Sequence, residues 1–267
     1  MTTKIKRRNV SSKIDSRAII NPGAKIGDNV VIGPYAIIGE DVKLGDNCCI
    51  DSYAQVLGYT ELGAGCHLFP YAVVGNIPQD LKYKGERSFL VIGENNRIRE
   101  FVTINPGTDK DTKTIIGDDN LIMAYSHVAH DCLIGNNNIL ANSSTLAGYV
   151  GIGDSVVIGG LVAIHQFCRV GDYAIIGGCS KVVQDIPPYS MCDGHPAVIC
   201  GLNLVGLKRA KFNRETINTL KKASKILFFE NHPFSEAKDI VGKTLPASKE
   251  IDVLIDFVSS TKRGIAK

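Results

Sequence analysis

Aliphatic residues recur every six positions along most of the chain. From Ile14 to Val182, steps of six reach 29 positions, and 26 of them hold Ile, Leu or Val. A small residue often follows four places later, as at Ala36, Ala54 and Ala72. A period of six fits neither the 3.6-residue period of a helix nor the alternation of an ordinary strand. It predicts a triangular β-solenoid in which each hexapeptide is a short strand plus a corner, with the aliphatic side chain inside.

Two polar stretches interrupt this rhythm without shifting its phase. Residues 76–88 and 106–114 contain the three exceptions to the series, Asp80, Glu86 and Lys110, together with Pro and Gly. Because the count resumes at a multiple of six, each stretch reads as a loop extruded from one coil. Long loops on a rigid scaffold commonly serve binding, although tolerated insertions remain an alternative.

The pattern changes after Val182 to one typical of helices. Asn213 is predicted to cap a helix with Ile217 and Leu220 on its apolar face, and Ser235 to cap a second helix. We therefore predict a mainly β protein with a β-helix domain over 1–190 and a connector plus helical domain over 191–267. The helices are expected to cover one open end of the solenoid.

Charge and composition narrow the possible functions. The net charge of +3 argues against a nucleic-acid-binding protein. Residues 203–267 hold 13 basic and seven acidic residues, whereas 14–202 hold 12 basic and 20 acidic. The basic stretch 208–225 suits an acidic protein partner, or is simply a solvated helix face.

We expect a cytoplasmic protein, because the sequence shows no targeting signal and its cysteine spacing suggests no disulfide framework. No apolar segment approaches a membrane span, and no apolar signal core follows the basic start, so we expect no stable membrane insertion. Eight cysteines without paired spacing suggest neither a zinc ribbon nor a disulfide framework.

The candidate chemistry lies in the segment from Ser126 to Cys132. His127 precedes an inward position and His165 follows one, so both side chains should face outward. His130 and Gln166 are 36 residues apart, which places them in one column two coils apart. Asp131 could orient the His130 imidazole. Since no serine or cysteine has a forced role as nucleophile, the pattern favours direct transfer assisted by a histidine base.

Other interpretations of these histidines stay open at this point. They could be ordinary surface residues, or they could hold zinc across a trimer, as in the γ-type carbonic anhydrases that this fold also resembles. A noncatalytic scaffold is a third possibility.

Several motifs in order resemble the bacterial UDP-N-acetylglucosamine O-acyltransferase family. They are Gln79-Asp80-Leu81-Lys82-Tyr83, Asn96-Arg97-Ile98-Arg99-Glu100, His127-Val128-Ala129-His130-Asp131-Cys132, Ile164-His165-Gln166-Phe167-Cys168, Gly177-Gly178-Cys179-Ser180, Gln184-Asp185-Ile186-Pro187-Pro188-Tyr189 and Gly206-Leu207-Lys208-Arg209. The resemblance implies a homotrimer of left-handed parallel β-helices. It also implies transfer of an (R)-3-hydroxyacyl group from acyl carrier protein to the 3-position of UDP-N-acetylglucosamine, the first step of lipid A synthesis.

The resemblance also implies roles for individual residues. His130 would be the general base, Asp131 its partner and the Gly148 N–H the oxyanion donor. Gly178 would lie at the position that sets acyl length. The family uses no metal and no resident cofactor, since 4′-phosphopantetheine arrives on the acyl carrier protein. The substrate-binding residues would be Asp80, Lys82, His127, His165 and Gln166 for the sugar nucleotide, and Asn203 and Arg209 for its uridine and phosphate end.

Two positions depart from the family pattern. Tyr149 stands where many members have His, and Ala210 where many have a second Arg. Tyr149 should lie one coil from Asp131, where it could contact substrate. These departures leave the acceptor open, because some relatives acylate a 3-amino analogue of the sugar. An N-acyltransferase of a later step fits less well, since it normally has an extra N-terminal domain.

Overall fold

The structure, a computed structural model, describes residues 12–267, so most of the basic N-terminal stretch lies outside it. Short strands follow one another along the solenoid. They are β1 Lys13–Ile14, β2 Ile19–Ile20, β3 Lys25–Ile26, β4 Val31–Ile32, β5 Ile37–Ile38, β6 Lys43–Leu44, β7 Cys49–Ile50, β8 Gln55–Val56, β9 Tyr59–Leu62, β10 His67–Leu68, β11 Val73–Val74, β12 Phe89–Ile92, β13 Arg97–Ile98, β14 Thr103–Ile104, β15 Lys113–Ile116, β16 Leu121–Ile122, β17 His127–Val128, β18 Leu133–Ile134, β19 Ile139–Leu140, β20 Thr145–Leu146, β21 Gly151–Ile152, β22 Val157–Ile158, β23 Ala163–Ile164, β24 Arg169–Val170, β25 Ile175–Ile176, β26 Lys181–Val182, β27 Ser190–Gly194 and β28 Ala197–Leu202.

These strands form three sheets, the faces of a triangular prism. Face 1 has the order β1-β4-β7-β10-β13-β16-β19-β22-β25-β27-β28, face 2 has β2-β5-β8-β11-β14-β17-β20-β23-β26, and face 3 has β24-β21-β18-β15-β12-β9-β6-β3. Every third strand is a parallel neighbour, and regular coils pair residues 18 apart, as in His127↔Thr145. Three hexapeptides therefore make one coil, as the periodicity predicts.

The inward aliphatic side chains form the core of the prism. Ile50, Leu68 and Val128 are fully buried, and the small residues Ala36, Ala54 and Ala72 are buried beside them. The corner residue before each small one often has a left-handed backbone, for example Tyr35 with φ 61° and Tyr53 with φ 63°. Removal of these apolar side chains from water drives the coils together.

Both interruptions are loops, as predicted. The first joins β11 to β12 and the second joins β14 to β15. The second is shorter than predicted, because Lys113 and Thr114 already belong to β15. Asn105 anchors the first loop by donating from Nδ2 to the carbonyl oxygens of Asn76 and Ile77, both at 3.1 Å.

A ladder of buried asparagines occupies one interior corner. Asn96 Oδ1 accepts from the Asn120 amide N–H at 3.0 Å, Asn120 Oδ1 accepts from the Asn138 N–H at 2.8 Å, and Asn138 Oδ1 accepts from the Val156 N–H at 2.7 Å. All three asparagines are at most 1% exposed. At this corner, asparagines occupy the position that a small residue holds elsewhere, and their side chains form hydrogen bonds from one coil to the next.

A second ladder, which we call the aromatic ladder, runs along the exterior. Tyr35, Tyr53, Tyr71, Phe101 and Tyr125 stack in sequence with ring centroids 5.0–5.1 Å apart. The rings lie at the corner between faces 1 and 2 because each residue follows a face 1 strand and precedes a face 2 strand.

A hairpin and four helices close the C-terminal end. β27 pairs in parallel with β25, and β28 pairs antiparallel with β27. The helices are α1 Leu204–Arg209, α2 Arg214–Ser224, α3 Phe234–Thr244 and α4 Lys249–Ser259, with a π-helical turn, Lys225–Phe229, after α2. Within residues 12–267 no helix is both long and apolar enough to cross a membrane.

The capping predictions have mixed outcomes. Asn213 caps α2 by accepting from the Thr216 N–H, as predicted. The prediction for Ser235 is wrong, because α3 begins at Phe234 and Pro233 occupies the capping position. Proline is tolerated at a helix start because the first N–H groups of a helix have no acceptor within the helix. The proposed domain boundary after residue 190 falls inside β27 and stays a prediction.

Candidate active site

His130 and Asp131 form a buried pair where face 2 turns into face 3. Nδ1 of His130 lies 2.9 Å from Oδ2 of Asp131, and each residue is only 9% exposed. Asp131 has a left-handed backbone, φ 57°, at the corner that follows β17. This conformation and the adjacent position in sequence bring the carboxylate to its neighbour's ring. Since a carboxylate accepts, Nδ1 donates to Asp131, and in the neutral ring Nε2 keeps its lone pair.

The two loops complete the surroundings of this pair. Oδ2 of Asp131 also accepts from the Thr108 backbone N–H at 3.0 Å, which ties it to the second loop. Oδ2 of Asp80, in the first loop, lies 3.6 Å from Nε2 of His130. The imidazole therefore has one carboxylate near each nitrogen.

Gly148 lies directly over the His130 ring. A Cβ at position 148 would be 2.4 Å from Cε1 and 2.5 Å from Nε2 of His130. Only glycine fits at this distance. Among residues 12–267 the Gly148 N–H has no hydrogen-bond partner, so it is free to donate.

Tyr149 stands one coil from Asp131, as expected from the spacing. Its N–H donates to the His130 carbonyl oxygen at 3.0 Å. Its ring meets the His130 ring edge-on at 5.3 Å and stacks on Phe167 at 4.9 Å. Burial, and then the charge of Asp131, raise the pKa of the Tyr149 hydroxyl. The hydroxyl therefore stays protonated and can donate to a bound ligand.

His127 lies on face 2 beside the pair. Its Nδ1 is 2.7 Å from Oγ1 of Thr103 on the neighbouring strand. Burial lowers the pKa of His127, and the proximity of His130 lowers it further. His127 is thus held neutral, which suits a hydrogen-bonding role rather than an ionic one.

His165 and Gln166 are exposed two coils further on. Nδ1 of His165 lies 3.1 Å from the Gln166 carbonyl oxygen and 3.2 Å from Nη2 of Arg263. Because arginine only donates and a carbonyl oxygen only accepts, Nδ1 of His165 can form only one of these two hydrogen bonds in a given tautomer. Nη2 of Arg263 also donates to the Val183 carbonyl oxygen at 3.1 Å.

A cavity of about 580 Å³ adjoins the outer side of Asp131. Tyr149, Phe167, Arg169 and Arg263 line it with aromatic rings and two guanidinium groups. Arg169 is paired with Asp185 at 3.3 Å. The cavity thus places a surface of aromatic and basic side chains next to the His130–Asp131 pair.

For four of the predicted site residues, no hydrogen bond or ion pair with His130 occurs within residues 12–267, although the Lys82 N–H donates to Asp80 at 2.9 Å. Lys82 and Arg209 are exposed. Gly178 faces Gly160, whose carbonyl oxygen would be 3.3 Å from an added Cβ. Asn203 is 6% exposed and caps α1, with Oδ1 accepting from Gly206 and Nδ2 donating to Tyr173. Its side chain is thus engaged in holding the helical end of the molecule.

Sequence reasoning missed the contact between Asp80 and His130 and three others. Thr103 holds His127, Thr108 holds Asp131 and Arg263 reaches His165. The strand register places Thr103 beside His127, so that contact had a signal. The contacts of Thr108 and Arg263 depend on the path of a loop and of the segment after α4, and the periodicity gives no signal for either path.

Thiols near the site are poor candidates for a nucleophile. Cys132 is fully buried and its Sγ donates to the Ala147 carbonyl oxygen at 3.2 Å. Burial raises the pKa of the Cys132 thiol to about 12. An un-ionised, inaccessible thiol does not attack a thioester.

Stacked hexapeptide coils with a histidine–carboxylate pair on their outer surface define a hexapeptide-repeat transferase. The family model for bacterial transferase hexapeptides (six repeats) matches residues 11–40 and 113–148. The model for domain 2 of UDP-N-acetylglucosamine O-acyltransferase matches residues 185–266.

Relatives identify the family. The acyl-(acyl-carrier-protein)–UDP-N-acetylglucosamine O-acyltransferase of Thermodesulfovibrio yellowstonii is 52% identical over 96% of this chain and 100% of its own length. The enzyme of the same name from Sulfurihydrogenibium sp. is 60% identical over 95% of this chain and 94% of its own length. The chain belongs to this family of acyltransferases.

A solved structure supports the same conclusion. LpxA from Acinetobacter baumannii has a TM-score of 0.92 at 42% identity, covering 95% of this chain and 99% of that protein. The fold is a left-handed parallel β-helix with a helical C-terminal part, so the predicted fold class is confirmed.

Proposed function

We propose that this protein transfers an (R)-3-hydroxyacyl group from acyl carrier protein to the 3-hydroxyl of UDP-N-acetylglucosamine, the first step of lipid A synthesis. Membership of the acyltransferase family supports the reaction class. The observation that carries the mechanism is the His130–Asp131 pair, in which Nδ1 is engaged by the carboxylate and Nε2 is the nitrogen available to act as the base.

In this mechanism Nε2 of His130 takes the proton of the acceptor hydroxyl as the oxygen attacks the thioester carbonyl carbon. The new C–O bond forms, the C–S bond breaks, and the proton passes from the imidazolium to the departing thiolate. Asp131 fixes the imidazole orientation, while Asp80 and Asp131 together stabilise its cation. Atoms and charge balance without any further reactant.

The Gly148 N–H would receive the negative charge of the tetrahedral intermediate. Its support is the close approach of this residue to the His130 ring and its unused donor within the described chain. A single preorganised donor of this kind is worth about 10²–10³ in rate.

The remaining predicted residues are assigned to substrate binding. Asp80, Lys82, His127, Tyr149, His165 and Gln166 would hold the sugar nucleotide, Asn203 and Arg209 its uridine and phosphate end, and Gly178 would leave room for the acyl chain. Asn203 would have to do so without giving up its capping bonds. Arg and Lys suit a diphosphate because their donors match its oxygens.

Acyl carrier protein would dock at the helical end. Residues 208–225 carry seven basic residues and one acidic residue. A cavity of about 500 Å³ beside them combines the apolar Leu204 and Phe229 with Lys221, Lys222 and Lys225. Basic residues around an apolar hollow complement an acidic protein that delivers a phosphopantetheine-linked chain.

A homotrimer is part of the proposal, with the site completed between subunits. No resident metal or cofactor is proposed for catalysis, since the phosphopantetheine belongs to the donor. A cytoplasmic location is also proposed, and all eight cysteines being free thiols supports a reducing compartment.

The test is a transfer assay with product detection by mass. UDP-N-acetylglucosamine and its 3-amino analogue are each offered with hydroxyacyl carrier proteins of several chain lengths. Transfer to the normal sugar is expected, and transfer to the amine alone would replace the O-acyl assignment by an N-acyl one. No transfer to either acceptor would overturn the proposed activity.

His130→Ala tests the base, with His195→Gln as the matched control because His195 is an exposed histidine in the β27–β28 hairpin. The control should keep full activity, while His130→Ala should lose at least about 10²-fold in kcat. Light scattering checks for three 28.8 kDa chains per particle. A trimeric His130→Ala protein with near-normal activity would refute the base assignment.

A further inference from the structure

A second group of chemistry-bearing side chains lies on face 1, which does not carry the His130–Asp131 pair. Cys49, Asp51 and His67 each offer one ligand atom, and these atoms all lie within 4.8 Å of one another. Nε2 of His67 is 2.8 Å from Oδ2 of Asp51, and Sγ of Cys49 is 3.6 Å from Oδ1 of Asp51. In the part of the chain that the structure describes, this is the single such group of histidine, cysteine and acidic residues.

The register of two strands explains why these side chains converge. Cys49 in β7 and His67 in β10 are direct partners across the parallel ladder. Their neighbours Ile50 and Leu68 are fully buried, so residues 49 and 67 point outward. Asp51 lies two residues after Cys49, a spacing that returns a side chain to the same face.

The donor set and its spacing match a borderline transition metal. Thiolate, imidazole and carboxylate are the three ligand types that Zn²⁺ takes in proteins, with Zn–S near 2.3 Å and Zn–N and Zn–O about 2.0–2.2 Å. Tetrahedral bonds of these lengths separate ligand atoms by about 3.3–3.8 Å. The present separations need only small side-chain rotations to reach that range, on a backbone fixed by the buried core.

The surroundings also favour an ion. The three side chains are partly buried, so the site is reachable but partly shielded from water. The ring of Phe69 stacks on His67 with centroids 3.9 Å apart, which holds the imidazole plane. Of the basic residues around the cluster, Arg99 is paired with Glu100 at 2.9 Å. Arg97 is the ladder partner of His67 in β13, and its side chain is exposed.

We propose that Cys49, Asp51 and His67 form a binding site for a divalent cation of the zinc type, with solvent as the fourth ligand. The site lies outside the proposed catalytic machinery. It would join two successive coils through side chains, adding to the backbone ladder between β7 and β10. Binding converts the Cys49 thiol to a thiolate and releases its proton to solvent.

The experiment is a titration of the metal-free protein with Zn²⁺ against a chromophoric chelator, followed by Co²⁺ spectroscopy. One ion per chain is expected, with a thiolate-to-cobalt charge-transfer band in the near ultraviolet. Cys49→Ser should remove that band, and Cys49→Ser, Asp51→Asn and His67→Gln should each weaken Zn²⁺ binding at least about tenfold.

The matched control is Cys200→Ser, which removes an exposed free thiol from β28. It should leave both stoichiometry and affinity unchanged. Circular dichroism shows whether each variant keeps the fold. Failure of the unaltered protein to bind one ion, equal binding by the Cys49→Ser and His67→Gln variants, or loss of binding in Cys200→Ser would each overturn the proposal.

Discussion

Gly148 packs against the imidazole of His130 across one coil step. Because an added methyl group would lie 2.4 Å from Cε1 of His130, Gly148→Ala must move the ring or the backbone. We expect kcat to fall by about 10²-fold or more, since misplacing a catalytic group by about 1 Å has that effect. Steady-state transfer kinetics measure the change.

Gly151→Ala is the control for this substitution. It lies three residues away in β21, and the nearest atom to its added Cβ would be the Arg169 Cγ at 3.5 Å, an ordinary contact. Activity and stability should stay close to those of the unaltered protein. If Gly148→Ala is equally active, the close packing over His130 has no catalytic importance.

Asp131→Asn should reduce kcat by about 10²–10⁴-fold while leaving the coil intact. The amide removes the negative charge that faces Nδ1 of His130 and can no longer fix the tautomer with Nε2 unprotonated. The pH profile of kcat/KM should change together with the rate. Asp109→Asn, which changes an exposed loop residue, should alter neither kcat nor the pH profile of kcat/KM. Equal losses in the two variants would argue against orientation of the imidazole by Asp131.

His127 should make the protein less stable in mild acid. Its pKa in the folded state lies below its ordinary value of 6.5, because burial and His130 disfavour the charged form. The unfolded chain therefore binds more protons as the pH falls through 6.5, and stability declines below that point. Above pH 6.5 both states hold a neutral ring and the contribution is complete.

Urea unfolding at several pH values tests this. His127→Gln should show a shallower loss of stability between neutral pH and pH 5 than the unaltered protein. His195→Gln, which changes an exposed histidine, should follow the unaltered curve. Identical slopes in all three proteins would rule out His127 as the source.

Asn120→Ala should destabilise the fold by about 1–3 kcal/mol, because it leaves the buried Asn138 N–H without a partner and removes one of the two hydrogen bonds to Asn96 Oδ1. The exposed Asn142 gives the comparison, and Asn142→Ala should stay within about 0.5 kcal/mol. Chemical denaturation measures both. A small effect at Asn120 would mean that water replaces the lost bonds.

Periodicity predicted the prism because a single physical requirement, an aliphatic side chain inside each strand, repeats at a fixed interval. The same count placed Tyr149 one coil from Asp131, since corners stack as regularly as strands. This part of the site follows from arithmetic on the sequence.

Other parts depend on chain paths that no local pattern encodes. The contact of Asp80 with His130 requires a loop to fold back over face 2, and that of Arg263 with His165 spans 98 residues. Asn203 shows a different difficulty, because an asparagine can either cap a helix or bind a ligand. The sequence does not reveal that its side-chain groups are already engaged.

The aromatic ladder gives the protein an internal optical reporter. The chain has no tryptophan and nine tyrosines, and four of those tyrosines stack with Phe101 along one edge. Rings held about 5 Å apart in nearly parallel planes couple their electronic transitions, whereas isolated tyrosines in an unfolded chain do not. Near-ultraviolet circular dichroism should therefore follow the stacking of aromatic rings along the solenoid, to which the aromatic ladder contributes four of the nine tyrosines, while the far-ultraviolet signal follows the backbone of the whole molecule.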